Sequence, residues 1–502
     1  MVRCLLLILA LVISPALSAQ GPCALPGDGN FVASDQALGI LTSNSVVLGD
    51  IDGDDDLDLV TGEISTNHIY LNDGAGNFTD SGQDLGSSWT RAVALADFDG
   101  DGDLDLASAN GISGTISAAN TIAFNDGNGN FTDSGQSLGD SPSNCLAVGD
   151  LDGDGDLDIV VGNGDNLVGL TANRVYTNDG NGNFTDSGQM LGSTVTLALA
   201  LGDLDGDGDL DFIEGGIVGP NPTQIFINDG NGSFSASASM LPEPPHVTGL
   251  SIGDLDGDGD LDIAASTSSV GGVADGTRIW FNDSSGTFND SGQLLGEGSY
   301  GQTIGDIDDD GDLDLVEMQS PFDVAGIHRN DGSGVFTEND RSFEPGDSIS
   351  LALGDLDADG DLDLVAAILG GPDRIYFNEY QGPDCDEDGV PDLCQLDPTT
   401  DQNGDGILDS CQGFIRGECN GDDAIDIADG TFLLNFLFVN GATPTCIKTC
   451  DVNDDSTVNL ADAVALLGYL FSNAPPPPPP FPDCGIDPTD DNLDCSSAAA
   501  CP

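Results

Sequence analysis

The chain has 502 residues, of which 88 are Asp or Glu and only 9 are Lys or Arg, for a formal charge of -79. Phosphate recognition rests on basic side chains, so nucleic acid is excluded as a partner. Apolar residues still make up 38% and recur in register with the acidic ones, which argues for a folded body and against the disorder that such acidity alone would bring.

Residues 1–19 read as a secretory signal peptide: Arg3, an apolar run from Cys4 to Ile13, Pro15, and a small-residue site at Ala16-Leu17-Ser18-Ala19. The expectation is a secreted protein, extracellular or at the cell surface. No later apolar stretch is long enough to span a bilayer, so no transmembrane anchor is expected.

From residue 20 to 381 one acidic cassette returns seven times at roughly fifty-residue intervals, beginning at Asp50, Asp97, Asp150, Asp203, Asp254, Asp306 and Asp355. The third copy, Asp150-Leu151-Asp152-Gly153-Asp154-Gly155-Asp156-Leu157-Asp158, shows the pattern: carboxylates at positions 1, 3, 5 and 9 of a nine-residue loop. The equivalent groups are Asp50, Asp52, Asp54 and Asp58; Asp97, Asp99, Asp101 and Asp105; Asp203, Asp205, Asp207 and Asp211; Asp254, Asp256, Asp258 and Asp262; Asp306, Asp308, Asp310 and Asp314; and Asp355, Asp357, Asp359 and Asp363. Four ionised carboxylates on so short a loop repel one another, and a bound cation removes the conflict. Hard oxygen ligands at this spacing select Ca2+ over zinc or iron, which favour His and Cys.

A second landmark lies between cassettes, a turn of the form Asn-Asp-Gly-x-Gly-x-Phe at 72–78, 125–131, 178–184 and 228–234, with looser copies at 282–288 and 330–336. Asn and Gly tolerate the positive φ of hairpin turns. Each repeat therefore offers four short strands, as at Ala92 to Ala96, Leu104 to Ala107, Thr121 to Phe124 and Asn130 to Ser134. Four strands in about fifty residues make one propeller blade, and seven repeats close a ring. The ends supply a check. Gly27-Asp28-Gly29-Asn30-Phe31 has no cassette before it, and the seventh repeat stops after Ile375-Tyr376-Phe377-Asn378 without its outer strand. An N-terminal strand lent across the seam is expected to complete the last blade. The predicted fold is mainly β, a seven-bladed β-propeller of four-stranded blades.

These repeats resemble the FG-GAP or VCBS type of integrin alpha-subunit propellers and secreted bacterial proteins. The resemblance implies calcium held by the side chains at positions 1, 3, 5 and 9 and the carbonyl at position 7, which is Asp156 in the third copy. The first copy carries Asp55 where the others have Gly at position 6, and a side chain there resists a left-handed turn, so this loop is expected to be the poorest site.

Residues 382–412 break the period. Asp384, Asp386, Asp388 and Asp392, then Asp401, Asn403, Asp405 and Asp409, form two further acidic loops interleaved with Cys385, Cys394 and Cys411. They resemble thrombospondin type 3 repeats, which implies a calcium-ordered spacer; with almost nothing apolar to bury, metal and disulfides must order it. Residues 413–483 contain a duplicated unit. Glu418, Asn420, Asp422, Asp426 and Asp429 precede an apolar stretch at helical spacing through Phe432, Leu433, Phe436 and Leu437, and Asp451, Asn453, Asp455, Asn459 and Asp462 precede another through Val464, Leu466, Leu467 and Leu470. Paired calcium loops each feeding a helix resemble a type I dockerin, a small α-helical EF-hand-like module. That resemblance implies a cohesin-like partner, although Asp423 and Ser456 replace the usual Gly, Glu418 opens the first loop, and Ile427-Ala428 and Leu460-Ala461 stand where hydroxyl residues often read the partner. The Pro475 to Pro480 run is expected to strap the helix pair. Residues 484–502 form a Cys-containing tail with Cys484, Cys495 and Cys501; with Cys419, Cys446 and Cys450 upstream, the clustering points to disulfides. Cys23 is left with two readings, a bridge to Cys385 or exclusion by a local Cys385 to Cys394 pair.

Signals for catalysis are few. His68, His246 and His328 fall at unrelated places in the repeat, no nucleophile elbow or His-Glu-x-x-His occurs, and Cys145 in an innermost strand reads as a buried inert thiol. The leading expectation is a monomeric calcium-binding recognition or adhesion protein meeting a cell-surface glycan or protein, without catalytic residues or an organic cofactor. The alternative is a polysaccharide lyase or hydrolase on a propeller scaffold, attached through its dockerin.

Overall fold

The structure, a computed structural model, describes residues 29–378 and 415–481, apart from short segments at 40–41, 87–88, 114–115, 165–170, 193, 218–222, 239–240, 242–245, 268–275, 297–298, 320–323, 339–347, 422–423, 440, 445, 473 and 479–480. The expected signal peptide, the spacer loops of Asp384 to Asp409, the tail cysteines and both pairings of Cys385 lie outside the described residues.

Among the described residues the long unit holds seven four-stranded antiparallel sheets and one short hairpin. In the third repeat the strands Ser143–Gly149, Asp158–Asn163, Arg174–Thr177 and Thr185–Asp186 lie side by side in chain order. Gly149 pairs with Asp158 and Thr177 with Thr185. The cassette and the Asn-Asp-Gly turn thus close neighbouring hairpins at the same end of the blade. The innermost strand is apolar from Cys145 onward and is buried except for the half-buried Val148, because blades flank both its faces. The outermost strand is two exposed polar residues, which leaves a short, unattractive edge.

Each innermost strand packs against the next, and Ser348–Gly354 packs against Ser43–Gly49, so the seven sheets form a closed ring. The seventh sheet takes its outer strand from the N-terminal side: Phe31–Leu38 pairs antiparallel with Asp373–Asn378, Phe31 opposite Asn378 and Leu38 opposite Asp373. The Gly29 amide also donates to Asn378 Oδ1 at 3.0 Å. Strand lending across the seam is therefore as expected.

The core lies between blades. One apolar cluster joins Leu151 and Val160 of the third blade to Leu199 and Phe212 of the fourth and Leu250 and Trp280 of the fifth. Blade approach is close enough to need glycine: a Cβ on Gly149 would stand 2.7 Å from Leu210 Cδ1 of the next blade. Polar clasps reinforce the packing. Gln136 donates through Nε2 to the Gly182 carbonyl at 2.6 Å and accepts the Phe184 amide at 2.9 Å, and Gln36, Gln83, Gln189 and Gln293 repeat the bridge. Cys145 is fully buried but disulfide-bonded, not the free thiol expected.

The second unit has helices α1, Ile427–Val439, and α2, Leu460–Ser472. They pack on each other, with Leu433 and Ala463 buried beside Cys419 and Cys450. Pro477 is buried, and Phe481 sits edge-on to Tyr469 at 5.1 Å, the packing expected of a strap. Among the described residues no helix is long and apolar enough to cross a membrane.

Candidate metal centres

The third cassette shows how its side chains build the loop. Asp150 accepts the Gly153 amide on Oδ1 at 2.8 Å and the Gly155 amide on Oδ2 at 3.1 Å, so position 1 folds the loop around its own carboxylate. Asp154 accepts the Asp156 amide at 3.0 Å. Asp158, at position 9, accepts Leu151 N at 3.1 Å and Asn178 N at 2.7 Å, tying the loop's start to the neighbouring turn. Asn178 Nδ2 in turn donates to the Phe98 carbonyl of the second cassette at 2.8 Å. The same link runs around the ring and crosses the seam from Asn72 to Leu356, so every loop is held from the blade beside it.

The carboxylates converge. Ligand oxygens of Asp150, Asp152 and Asp158 lie within 4.8 Å of one another, as do those of Asp50, Asp52 and Asp58; Asp97, Asp99 and Asp101; Asp203, Asp205 and Asp211; and Asp254, Asp256 and Asp262. Position 3 is the telling member. Oδ1 of Asp52, Asp99, Asp152, Asp205 and Asp308 is buried and has no hydrogen-bond partner. A buried carboxylate oxygen without a donor is costly, and a cation in the loop is what it fits. Burial also pushes the position 9 carboxyls up, Asp58, Asp105, Asp158, Asp211 and Asp262 to about 6, Asp314 to about 7 and Asp363 to about 8, against the pull of the backbone amides they accept. Desolvation and crowding of like charge act in one direction, towards a site that a divalent cation stabilises.

Two loops depart from the sequence expectation. Asp55 does not resist the left-handed turn: its φ is 73°, and its amide reaches Asp50 Oδ2 at 3.1 Å, as a glycine would. The first loop keeps its shape, with Asp55 held in the left-handed conformation. The sixth loop holds an unexpected cation, for Arg329 pairs with Asp308 at 2.5 Å. Arg329 stands where other repeats carry Leu71, Phe124, Thr177 or Phe377 before the turn Asn, a charge at a position uncharged in every other copy and visible in the sequence.

In the second unit, Asp429 accepts the amides of Cys419, Asn420 and Asp426, and Asp462 those of Asn453 and Asn459. Asp451 accepts the Asp455 and Ser456 amides at 3.1 and 2.8 Å, and Glu418 the Gly421 amide at 2.8 Å. Ser456 takes a φ of 63°, filling the glycine position. Asn453 Oδ1 is buried without a partner, the same signature as in the propeller loops. Asp426 and Asn459 instead accept the amides of Ala428 and Ala461, beside the starts of α1 and α2. Asp422 lies outside the described residues.

Buried acids away from the loops were missed. Glu214 accepts Asn173 Nδ2 at 2.5 Å and the Thr196 hydroxyl at 3.2 Å, and burial pushes it up to about 7. Glu317 meets buried His328 at 2.9 Å and Thr277 at 2.8 Å. Asp373 accepts Ser43 Oγ across the seam at 2.6 Å. His68 lies 3.9 Å from Glu63 and 3.7 Å from Asp80. These groups brace blades, and His328 is a buried strand residue closed to a substrate.

A family model for the FG-GAP-like repeat matches residues 50–108, 111–161, 150–214 and 216–265. The chain carries FG-GAP-like repeats. The matched segments span the first five cassettes, and the remaining two repeats have the same sheets and loops. No curated protein matches the chain. Similar solved structures include two of BBS1N in complex with ARL6DN, one soaked with mercury (TM-score 0.49, 12% identity, 70% of this chain and 97% of that one) and one with lead (0.46, 14%, 70% and 98%).

Proposed function

We propose that this FG-GAP propeller is an exported, calcium-dependent recognition or adhesion module, joined by an acidic spacer to a dockerin-like anchor. The observation that carries the reading is the set of converging carboxylates, in which Oδ1 of Asp52, Asp99, Asp152, Asp205 and Asp308 at position 3 is buried without a donor. Calcium is the ion because the donors are oxygens alone on flexible loops. Regular placement of one loop per blade at one end of the ring makes the metal a brace, and leaves the other end to present loops to a cell-surface glycan or protein. Export is supported by the sequence of residues 1–19 and by the cysteine clustering.

The anchor reading rests on the duplicated loop-helix units. They expose apolar side chains at matching places, Ile427 with Leu460 and Phe438 with Phe471, on a surface that a cohesin-like partner would cover. The decisive experiment is a thermal melt of the full chain with calcium and with chelator, followed by a glycan array read under both conditions. Calcium should raise the midpoint by the linkage of a ligand bound to the native state alone, and array binding should disappear with chelator. An unchanged midpoint at neutral pH would refute the calcium brace. Truncation after Gln412 should keep the calcium response and abolish docking to a cohesin-like partner.

A further inference from the structure

Two thiols of the second unit have no role in the loops described above. Cys419 follows Glu418 at the entrance of the first loop, and Cys450 precedes Asp451 at the entrance of the second. Both are buried, 3% and 0% exposed, in one apolar cluster with Leu433 and Ala463. The two loop entrances run alongside each other: Gly417 N donates to the Thr449 carbonyl at 2.7 Å, and Arg416, itself fully buried, donates to the Asp451 carbonyl at 2.7 Å and pairs with Asp454 at 3.0 Å. Thr449 lies between the thiols. Its carbonyl accepts the Cys419 S–H and its hydroxyl donates to Cys450 Sγ, each at 3.8 Å.

We infer that Cys419 and Cys450, unbridged here, form a disulfide that staples the first loop-helix unit to the second. Two helices of 13 residues each with so small a core are the kind of unit that needs a covalent tie. A bridge between the loop entrances fixes Glu418 and Asp451, one residue from each sulfur. The oxidant is a disulfide of the exporting compartment's thiol-exchange pool, for which glutathione disulfide serves. One Cys thiolate attacks it, breaking its S–S bond and releasing one glutathione thiolate. The second Cys thiolate attacks the mixed disulfide, forming the Cys419–Cys450 bond and releasing the other. The two protons leave with the two glutathione thiols. Burial stops this exchange in the folded unit, so the bond forms before the core closes. The inference is independent of what the propeller recognises.

The test is peptide mapping of the full chain, refolded from the reduced state with glutathione disulfide, alkylated in denaturant without reductant and digested. A linked peptide pair containing Cys419 and Cys450, lost on reduction, is expected. Alkyl label on both residues, or either one bridged to a different cysteine, overturns the pairing. In Cys419→Ser, mapped in the same way, Cys450 should carry the alkyl label or a single glutathione; a Cys450 bridged to another cysteine of the chain overturns the pairing.

Discussion

Glu214→Gln tests how the blades are held together. Glu214 is 1% exposed, and its hydrogen bonds from Asn173 and Thr196 come from neutral donors. Burial outweighs those two hydrogen bonds and lifts its pKa from 4.5 to about 7. The folded state therefore binds this proton more tightly than the unfolded chain does. Stability from the protonated carboxyl is fully present below about pH 4.5 and is lost as pH rises through about 7. At about 1.36 kcal/mol for each pH unit, the loss is about 3 kcal/mol. Glutamine keeps the carbonyl acceptor that Asn173 and Thr196 use and carries no charge. Urea unfolding of both proteins in saturating calcium, at pH 5 and pH 8, cancels every other titrating group in the difference. At pH 5 the unfolded chain has already lost part of that proton, so the variant should gain on the wild type by about 2 to 3 kcal/mol between the two pH values. A difference that stays constant with pH would show that Glu214 titrates normally and that the contact between the third and fourth blades is not desolvated.

Three further outcomes are expected. Asp55→Gly should stabilise the calcium-loaded protein by about 1 kcal/mol, because it removes a left-handed aspartate; a lower midpoint by denaturant melt would mean that the Asp55 carboxylate helps to hold the ion. Arg329→Leu should cost about 1 kcal/mol in chelator, where Asp308 loses its partner, and less in saturating calcium; equal losses in both conditions would separate the sixth loop from metal. Deletion of residues 20–40 removes the strand Phe31–Leu38 that completes the seventh blade, and light scattering should then show aggregation through the bare edge of Asp373–Asn378. A cooperative monomer would count against the seam.

What was legible in the sequence was whatever repeats. The cassette's carboxylates and the turn's Asn and Gly recur because each blade solves the same local problem, and the missing outer strand could be placed because a ring leaves only one position for it. What was not legible depends on the blade next door. Gln136 reads as a polar residue after a turn, yet its amide spans to Gly182 and Phe184, some 46 and 48 residues on. Glu214 and Glu317 carry no sequence signal of burial, and their partners Asn173 and Thr277 come from the preceding blade. Asp55 fails in the opposite sense: local propensity argues against its conformation, and the amides gathered by Asp50 impose it.

The same neighbour dependence explains why the metal loops sit where they do. Each cassette is tied to the preceding or following blade through the turn Asn, as Asn178 is to Phe98. A loop that collapses for want of a cation therefore withdraws a hydrogen bond from a second blade as well as distorting its own. In an open solenoid that damage would stop at the nearest interface. Here the last innermost strand packs on the first, so no blade is terminal and strain at one loop is shared by two neighbours, each with its own loop. On the proposed calcium brace, ion binding at the seven loops should consequently stabilise the ring as a unit, and chelation should appear as one cooperative loss, not as seven separate ones.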